Sequence, residues 1–235
     1  MYNKNFKDTY KNLKILVTGS TGFKGSWLCY WLNKLNAKVV GVGLKPEKNN
    51  VLFKSLKLDR KIKQYILDIS NFNRFNEVVK KEKPDIIFHL AAQSIVSESY
   101  KNPLQTLETN TLGSTNILEI VKKNNLQNLV YITSDKCYLN LNLKNAFKEN
   151  DTLGGHDIYS SSKAAAEIIF YSYHQSFFKE KNYYLTKVTA RAGNVIGGGD
   201  FKENRIIPDL FRSIKDKRKL IIRNPNSTRP WQHVL

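Results

Sequence analysis

Six short apolar runs alternate with stretches of helical periodicity along this chain, and no hairpin signal joins any two of them. The runs are Lys14 to Thr18, Lys38 to Val42, Gln64 to Ile69, Asp85 to Ala92, Leu129 to Thr133 and Thr186 to Arg191. Buried strands separated by helices must run parallel, because each crossover carries the chain back along a face of the sheet. The expected fold class is therefore α/β, a doubly wound parallel sheet whose ligands lie at the carboxyl ends of its strands.

The segments between the runs carry apolar residues at helical spacing. They predict helices from Ser26 to about Asn36, across Phe72, Phe75, Val78 and Val79, from Pro103 to Lys123, from Tyr159 to Phe178, and from Ile206 to Ile214. Leu220 to Ile222 reads as one more strand. At 235 residues and 41% hydrophobic content the chain can bury one large core. The expected division is a nucleotide-binding domain over residues 1–190 and the start of a substrate-binding region over residues 191–235, an incomplete C-terminal part.

The first run leads into Gly19-Ser20-Thr21-Gly22-Phe23-Lys24-Gly25. Strand, glycine turn and helix in that order let the backbone approach a pyrophosphate, which the helix N-terminus binds through free N–H groups and its dipole. An ordinary tight turn would also use these glycines, and the place after the first strand favours the dinucleotide reading. The second run is followed by Gly43-Leu44-Lys45-Pro46-Glu47, without the acidic residue that commonly holds the ribose of NAD, so that position does not choose between NAD and NADP. His89, in the fourth run, reads as a core histidine.

The fifth run ends in Thr133-Ser134-Asp135-Lys136-Cys137-Tyr138, which sets a hydroxyl, a carboxylate and an amine where a buried strand opens into a loop. An exposed Asp135–Lys136 ion pair is the bland account of the last two. Farther on, Tyr159 and Lys163 stand four residues apart, so a phenol and an ammonium share one helix face and can converge on one ligand. The sixth run opens into Ala192 to Asp200, with Gly193 and three glycines from Gly197 to Gly199. A flexible loop would account for these, but with Asn194, Arg205 and Arg229 they suit a second phosphorylated ligand, since arginine and amide donors match phosphate oxygens.

The formal charge of +18 could mean nucleic acid, an acidic surface or a polyanionic small substrate. The lysines are spread through every predicted helix and loop, with no compact basic tract and no interleaved aromatics, so no nucleic-acid partner is expected. No run approaches the roughly 18 apolar residues of a membrane span, and residues 1–11 are polar, so neither membrane insertion nor secretion is expected. Cys29 and Cys137 have neither metal-ligand spacing nor the density of a disulfide scaffold. A cytoplasmic chain without a metal fits.

Gly19-x-x-Gly22-x-x-Gly25, His89-Leu-Ala-Ala92, Asn110 and Tyr159-x-x-x-Lys163 together resemble the extended short-chain dehydrogenase/reductase family, the NAD-dependent epimerases and dehydratases with a Rossmann domain. Within it, four longer runs resemble the CDP-glucose 4,6-dehydratases: residues 21–28, residues 133–138, residues 190–200 and residues 229–234. The resemblance covers essentially everything from Leu13 onward and implies a hydro-lyase with bound NAD. Hydride leaves C4 of CDP-glucose, water is lost across C5 and C6, and the hydride returns to C6. The product, CDP-4-dehydro-6-deoxyglucose, is a precursor of the deoxysugars of bacterial surface polysaccharides such as lipopolysaccharide O-antigen.

The roles implied by the resemblance are as follows. Tyr159 is the base for the C4 hydroxyl, its phenolate favoured by Lys163 and the positive nicotinamide, while Lys163 also holds the nicotinamide ribose and Ser134 hydrogen-bonds the sugar. Lys136 removes the C5 proton, and Asp135 protonates the departing C6 hydroxyl. The dTDP-glucose dehydratases carry a glutamate at the place of Lys136, so the lysine favours a CDP-sugar. Gly19, Thr21, Gly22, Phe23, Lys24 and Gly25 line the pyrophosphate turn. Asp68 and Ile69 meet the adenine, Ala91 and Ala92 border the nicotinamide, and Asn110 and Thr133 complete the cofactor set. Ser94, Asn194, Arg205 and Arg229 are the candidates for the sugar nucleotide. A homodimer through helices 103–123 and 159–178 is implied as well.

Against the family pattern, residues 145–148 and Phe201 differ in detail, and the chain stops at Leu235 where family members continue, so it is expected to be a fragment or a truncated gene. Other readings are a different sugar-nucleotide dehydratase or epimerase, and an inactive NAD-binding or basic nucleic-acid-binding remnant. A product that keeps its C6 hydroxyl would mark the epimerase or reductase. Salt-resistant DNA binding without a thermal shift from NAD or CDP-glucose would mark the remnant.

Overall fold

The computed structural model describes residues 8–46, 51–141, 146–179, 186–222 and 225–235. Along the chain the elements are β1 (Lys14–Thr18), α1 (Phe23–Lys34), β2 (Lys38–Gly43), the one-turn helices α2 (Leu52–Ser55) and α3 (Leu58–Lys61), β3 (Lys63–Ile66), α4 (Phe72–Glu82), β4 (Ile86–His89) and α5 (Val96–Lys101). Then come α6 (Pro103–Leu107), a π-helical turn (Glu108–Gly113), α7 (Ser114–Lys123), β5 (Asn128–Ile132) and a 3-10 turn (Asp135–Cys137). The last are α8 (Ile158–Tyr173) with π-helical His174–Phe178 behind it, β6 (Lys187–Ala190), β7 (Asn194–Ile196), α9 (Ile206–Lys215) and β8 (Trp231–His233).

The first six strands form one sheet in the order β3-β2-β1-β4-β5-β6, every pairing parallel. This is the doubly wound arrangement, with the order reversing between β1 and β4. Successive side chains of a strand point to opposite faces, and β1 shows the result. Leu16 joins Val40, Ile87, Leu129 and Tyr131 under α4, α7 and α8. Ile15 and Val17 join Val39, Cys29, Leu32, Phe53 and Leu58 under α1, α2 and α3. All three β1 residues are fully buried, at about 1.5–3 kcal/mol each, so a helix layer is needed on both faces. Among the described residues no helix is long and apolar enough to cross a membrane.

Several boundaries differ from the sequence reading, each for a local reason. Helix α1 begins at Phe23, inside the glycine motif, because Gly22 is already its N-cap. Strand β3 ends at Ile66; Leu67 N–H still reaches the Gly43 carbonyl, and Asp68 Oδ1 then accepts from Ser70 N–H and turns the chain. The helix expected from Pro103 to Lys123 is continuous in path, but its middle widens into the π-helical turn that carries Asn110. Helix α8 begins at Ile158 on an Asp157 cap whose two carboxylate oxygens take the Ser160 N–H and hydroxyl. Leu220 to Ile222 forms no strand; the segment has no regular structure, and Ile221 is 84% exposed.

Beyond β6, the stretch read as a glycine-rich loop contains β7, which pairs in parallel with β8. Gly193 permits this, since a Cβ there would sit 2.7 Å from the Pro230 carbonyl. The small sheet is attached to α1: Trp27 Nε1 donates to the Gly198 carbonyl at 2.8 Å, and Phe23 lies 3.3 Å from where a Gly197 Cβ would be.

His89 is a core residue, as read. It is 1% exposed, with Nδ1 2.8 Å from the Thr18 hydroxyl and Nε2 3.0 Å from the Ser114 hydroxyl. The Thr18 oxygen already accepts from Leu90 and Ala91 N–H, so its own proton goes to Nδ1 and Nε2–H donates to Ser114. Burial, with Lys163 acting in the same direction, lowers its pKa to about 3. The unfolded chain binds a proton at this side chain near pH 6.5 and the folded chain does not. Stability is therefore expected to fall as pH drops below about 6.5, with His89 contributing up to ~1.4 kcal/mol per pH unit. Urea unfolding at several pH values should show that His89→Gln removes this share of the slope.

Candidate active site

The site is built where the sheet order reverses, and it starts from a turn with no spare volume. Gly19 has a positive φ of 72°, and a Cβ there would lie 2.8 Å from the Ala91 nitrogen; at Gly25 one would lie 2.0 Å from the Gly19 carbonyl oxygen. The chain can pass from β1 to α1 at this spacing with glycine alone. Because the turn is so close, the N-terminus of α1 opens directly over the carboxyl ends of β1 and β4, and its first-turn N–H groups face out of the helix. Thr21 is held under the turn by its hydroxyl, which donates to the Leu44 carbonyl at 2.9 Å. Ala91 and Ala92 form a small-residue wall beside it.

Tyr159 and Lys163 line this cleft from α8, and Ser134 and Asp135 line it from the end of β5. Ser134 caps the 3-10 turn, donating to Asp135 Oδ1 at 3.0 Å and accepting from Lys136 N–H at 3.3 Å. Asp135 N–H is anchored on the Ala192 carbonyl at 3.0 Å. Burial raises the pKa of the Tyr159 phenol; the facing Ser134 hydroxyl and Arg205 oppose that, while Asp135 adds to it. Tyr159 is thus a protonated phenol in the chain alone, and its state answers to burial and Ser134 more than to Lys163. Lys136 is half-buried, and its ammonium has no hydrogen bond or ion pair among the described residues.

Cations collect on the other wall. Burial lowers the amine of Lys163 to about 8, with Lys24 pushing the same way and Cys137 and Glu167 opposing. Lys24 is lowered as well, first by burial and then by Arg205, against Asp135 and Asp200. Arg205 pairs with Asp200 at 2.9 Å and donates to Ser94 Oγ at 3.0 Å, so two of the expected substrate residues meet. Lys24 and Lys163, each lowered by burial and by a neighbouring cation, stand in a glycine-lined cleft that fits the diphosphate of a dinucleotide, whose negative charge would relieve both.

Other expected residues stand elsewhere. The Asn110 carboxamide is fully buried, taking Gln93 N–H at 2.8 Å and giving its N–H groups to the Gln93 carbonyl and Ser162 Oγ, both at 3.0 Å. Thr133 turns its hydroxyl inward to Glu167. Ile69 belongs to the core, and Asp68 is exposed at the turn after β3. Asn194 sits on β7, with its N–H on the Pro230 carbonyl. Arg229 is exposed, and its guanidinium donates to the Thr228 carbonyl at 2.6 Å. The sequence reading left out Glu167 and Asp200; a charged residue four places beyond Lys163, on its helix face, was the available signal for the first.

Comparison with known proteins agrees with this geometry. The model of the GDP-mannose 4,6 dehydratase family matches residues 16–235. The chain belongs to this family. It is 44% identical over 239 residues to CDP-glucose 4,6-dehydratase from Salmonella typhimurium, covering 100% of this chain and 66% of that protein. It is 30% identical to dTDP-D-glucose 4,6-dehydratase from Dictyostelium discoideum, covering 98% and 55%. The chain thus spans between about half and two thirds of these relatives' lengths. A crystal structure of dTDP-glucose 4,6-dehydratase from Bacillus anthracis in complex with NAD superposes with a TM-score of 0.79 at 26% identity, covering 94% of this chain and 68% of that one.

Within this dehydratase-family cleft, Lys163 imposes a measurable cost. Below about pH 8 its ammonium is buried in the folded chain, whereas the unfolded chain keeps the proton up to about 10.5. Between those values the unfolded state binds more protons, so stability rises with pH. Lys163→Met is expected to be more stable than the parent at neutral pH, and the difference should shrink between about pH 8 and pH 10.5. Denaturant unfolding of both proteins across that range checks it.

Proposed function

We propose that the protein is a CDP-glucose 4,6-dehydratase that works with NAD, forming CDP-4-dehydro-6-deoxyglucose and water for bacterial deoxysugar synthesis. One observation supports this reading: the Ser134 hydroxyl and the Asp135 carboxylate, from the end of β5, act on the Tyr159 phenol of α8, and Lys136 follows them directly, so that residues for two proton transfers, Tyr159 with Ser134 and Asp135 with Lys136, lie on adjoining segments. A simple dehydrogenase needs the first set; a dehydration needs both. Likeness to the Salmonella CDP-glucose 4,6-dehydratase supports the choice of sugar nucleotide.

When bound, NAD would take the hydride from C4 and return it to C6 once water has left, with a proton returned to C5, so that the cofactor ends unchanged. Tyr159, which the positive charge of the bound nicotinamide would favour as a phenolate, would accept the C4 hydroxyl proton, and the Ser134 hydroxyl beside it orients the sugar. Lys163, on the same helix face, binds the cofactor ribose, and Lys24 with the turn Gly19 to Gly25 binds its diphosphate. The C4 ketone acidifies the C5 proton, Lys136 removes it, and Asp135 gives a proton to the C6 hydroxyl as it departs. Arg205 and Ser94 hold the sugar-nucleotide diphosphate. Residues 1–190 form the nucleotide-binding domain, and residues 191–235 begin the sugar-nucleotide region.

We further propose a homodimer through helices 103–123 and 159–178. Leu104 and Leu112 on the first and Ile168 and Tyr171 on the second are all more than half exposed, an apolar surface that a second copy would cover. A cytoplasmic site of action is supported by Cys29 and Cys137, both buried as free thiols.

Lys136→Ala is expected to keep C4 oxidation, seen as accumulating reduced cofactor, while product formation falls about 10²- to 10⁴-fold. Unchanged turnover would remove Lys136 from its role. Tyr159→Phe should suppress the appearance of reduced cofactor itself by a similar factor. Chromatography with mass spectrometry of the products from CDP-glucose tests the reaction: loss of one water supports a dehydratase, a new isomer of unchanged mass would indicate an epimerase, and unreacted CDP-glucose an inactive remnant.

A further inference from the structure

Glu167 lies four residues beyond Lys163 and eight beyond Tyr159, on the same face of α8, but deeper, where its side chain is 4% exposed. A buried carboxylate is costly unless fully partnered, and this one collects donors from three other segments. The Thr133 hydroxyl reaches it from the end of β5, Thr189 Oγ from β6 at 3.1 Å, and Arg191 Nη2 from the loop after β6 at 2.9 Å.

The partners' positions separate this pair from an ordinary buried ion pair. Thr133 immediately precedes Ser134, Asp135 and Lys136. Arg191 immediately precedes Ala192, whose carbonyl anchors Asp135 N–H at 3.0 Å. The Arg191 guanidinium also lies over the Tyr138 ring at 4.8 Å and donates to the Glu149 carbonyl at 2.9 Å. Tyr138 in turn stacks on Phe147, with centroids 4.6 Å apart and planes 2° from parallel. The 3-10 turn Asp135–Cys137 is therefore tethered at both ends, through Thr133 and Ala192 on one side and through Tyr138 on the other. Both tethers lead to one carboxylate.

We propose that Glu167 is a positioning residue: its carboxylate locks the helix bearing Tyr159 and Lys163 to the strand end bearing Ser134, Asp135 and Lys136. The two proton-transfer sets then keep one geometry while the sugar is oxidised and then dehydrated. What the lock is for rests on the dehydratase reading above; that it exists does not. Removing it frees the loop while the helix stays packed, so elimination should suffer more than C4 oxidation.

The test compares the parent chain with Glu167→Gln and with the double variant Glu167→Met/Arg191→Met, which leaves no unpaired buried charge. Hydrogen exchange is followed at Asp135, Cys137, Leu139 and Gly154, whose N–H groups bond Ala192, Ser134, Thr152 and Cys137 carbonyls respectively. Exchange there is expected to quicken roughly tenfold or more in both variants, with β1 and β4 amides unchanged. In turnover, reduced cofactor should accumulate as elimination slows. Unchanged exchange in the loop, equal acceleration everywhere, or failure of both variants to fold would overturn the proposal in favour of general structural support. If the loop responds but the parent forms no dehydrated product, the dehydratase reading fails and the lock stands.

Discussion

The passage of the backbone from β1 into α1 is the constraint on which the rest of the molecule depends. Gly19 lies against Ala91 and Gly25 against Gly19, at distances that no side chain could occupy. That contact brings the carboxyl ends of β1 and β4 together with the N-terminus of α1, and so creates a cleft with free N–H groups at its floor. Lys24, the second residue of the helix, then stands near Arg205, Asp135 and Asp200, and the small β7–β8 sheet meets the same helix end through Trp27 and Phe23. A bulkier turn could not keep these parts in contact.

Charge is distributed to match. The cleft gathers the buried Lys163 and the half-buried Lys24 and Arg205, with Asp135 and Asp200 offsetting part of the repulsion on Lys24. Such a cluster is poorly solvated in the chain alone and favours a ligand that brings phosphates. Only a small share of the +18 formal charge serves this purpose. Other lysines set their ammonium over aromatic rings at the surface, as Lys61 over the half-buried Tyr30 and Lys122 over the exposed Phe177, which is how a lysine-rich surface covers apolar area.

Much of this was readable along the chain because it depends on neighbours in sequence. Strand identity followed from apolar runs, the pyrophosphate turn from glycine spacing, and the pairing of Tyr159 with Lys163 from helical periodicity. The π-helical turn at Asn110 was not readable, since it depends on Gln93 and Ser162, which are distant in sequence. Leu220 to Ile222 has the apolar run of a strand but no partner strand among the described residues, and a run alone cannot supply one. Asn110, Thr133 and Ile69 were grouped with the ligand set by resemblance; their side chains turn into the protein because the donors and apolar neighbours they meet arrive from other elements.

The sequence by itself determined the fold class, the layering of helices on both faces of the sheet, and the chemical kinds of residue at the carboxyl edge, because periodicity and turn chemistry act over a few residues. Tertiary structure alone decided which of those residues share a cleft, which are braces, and how protons are held. Burial of Tyr159 and Lys163, the meeting of Arg205 with Ser94, and the convergence of Thr133, Thr189 and Arg191 on Glu167 join segments 22 to 111 residues apart. Desolvation and charge coupling depend on distance in space, and no spacing along the chain encodes that.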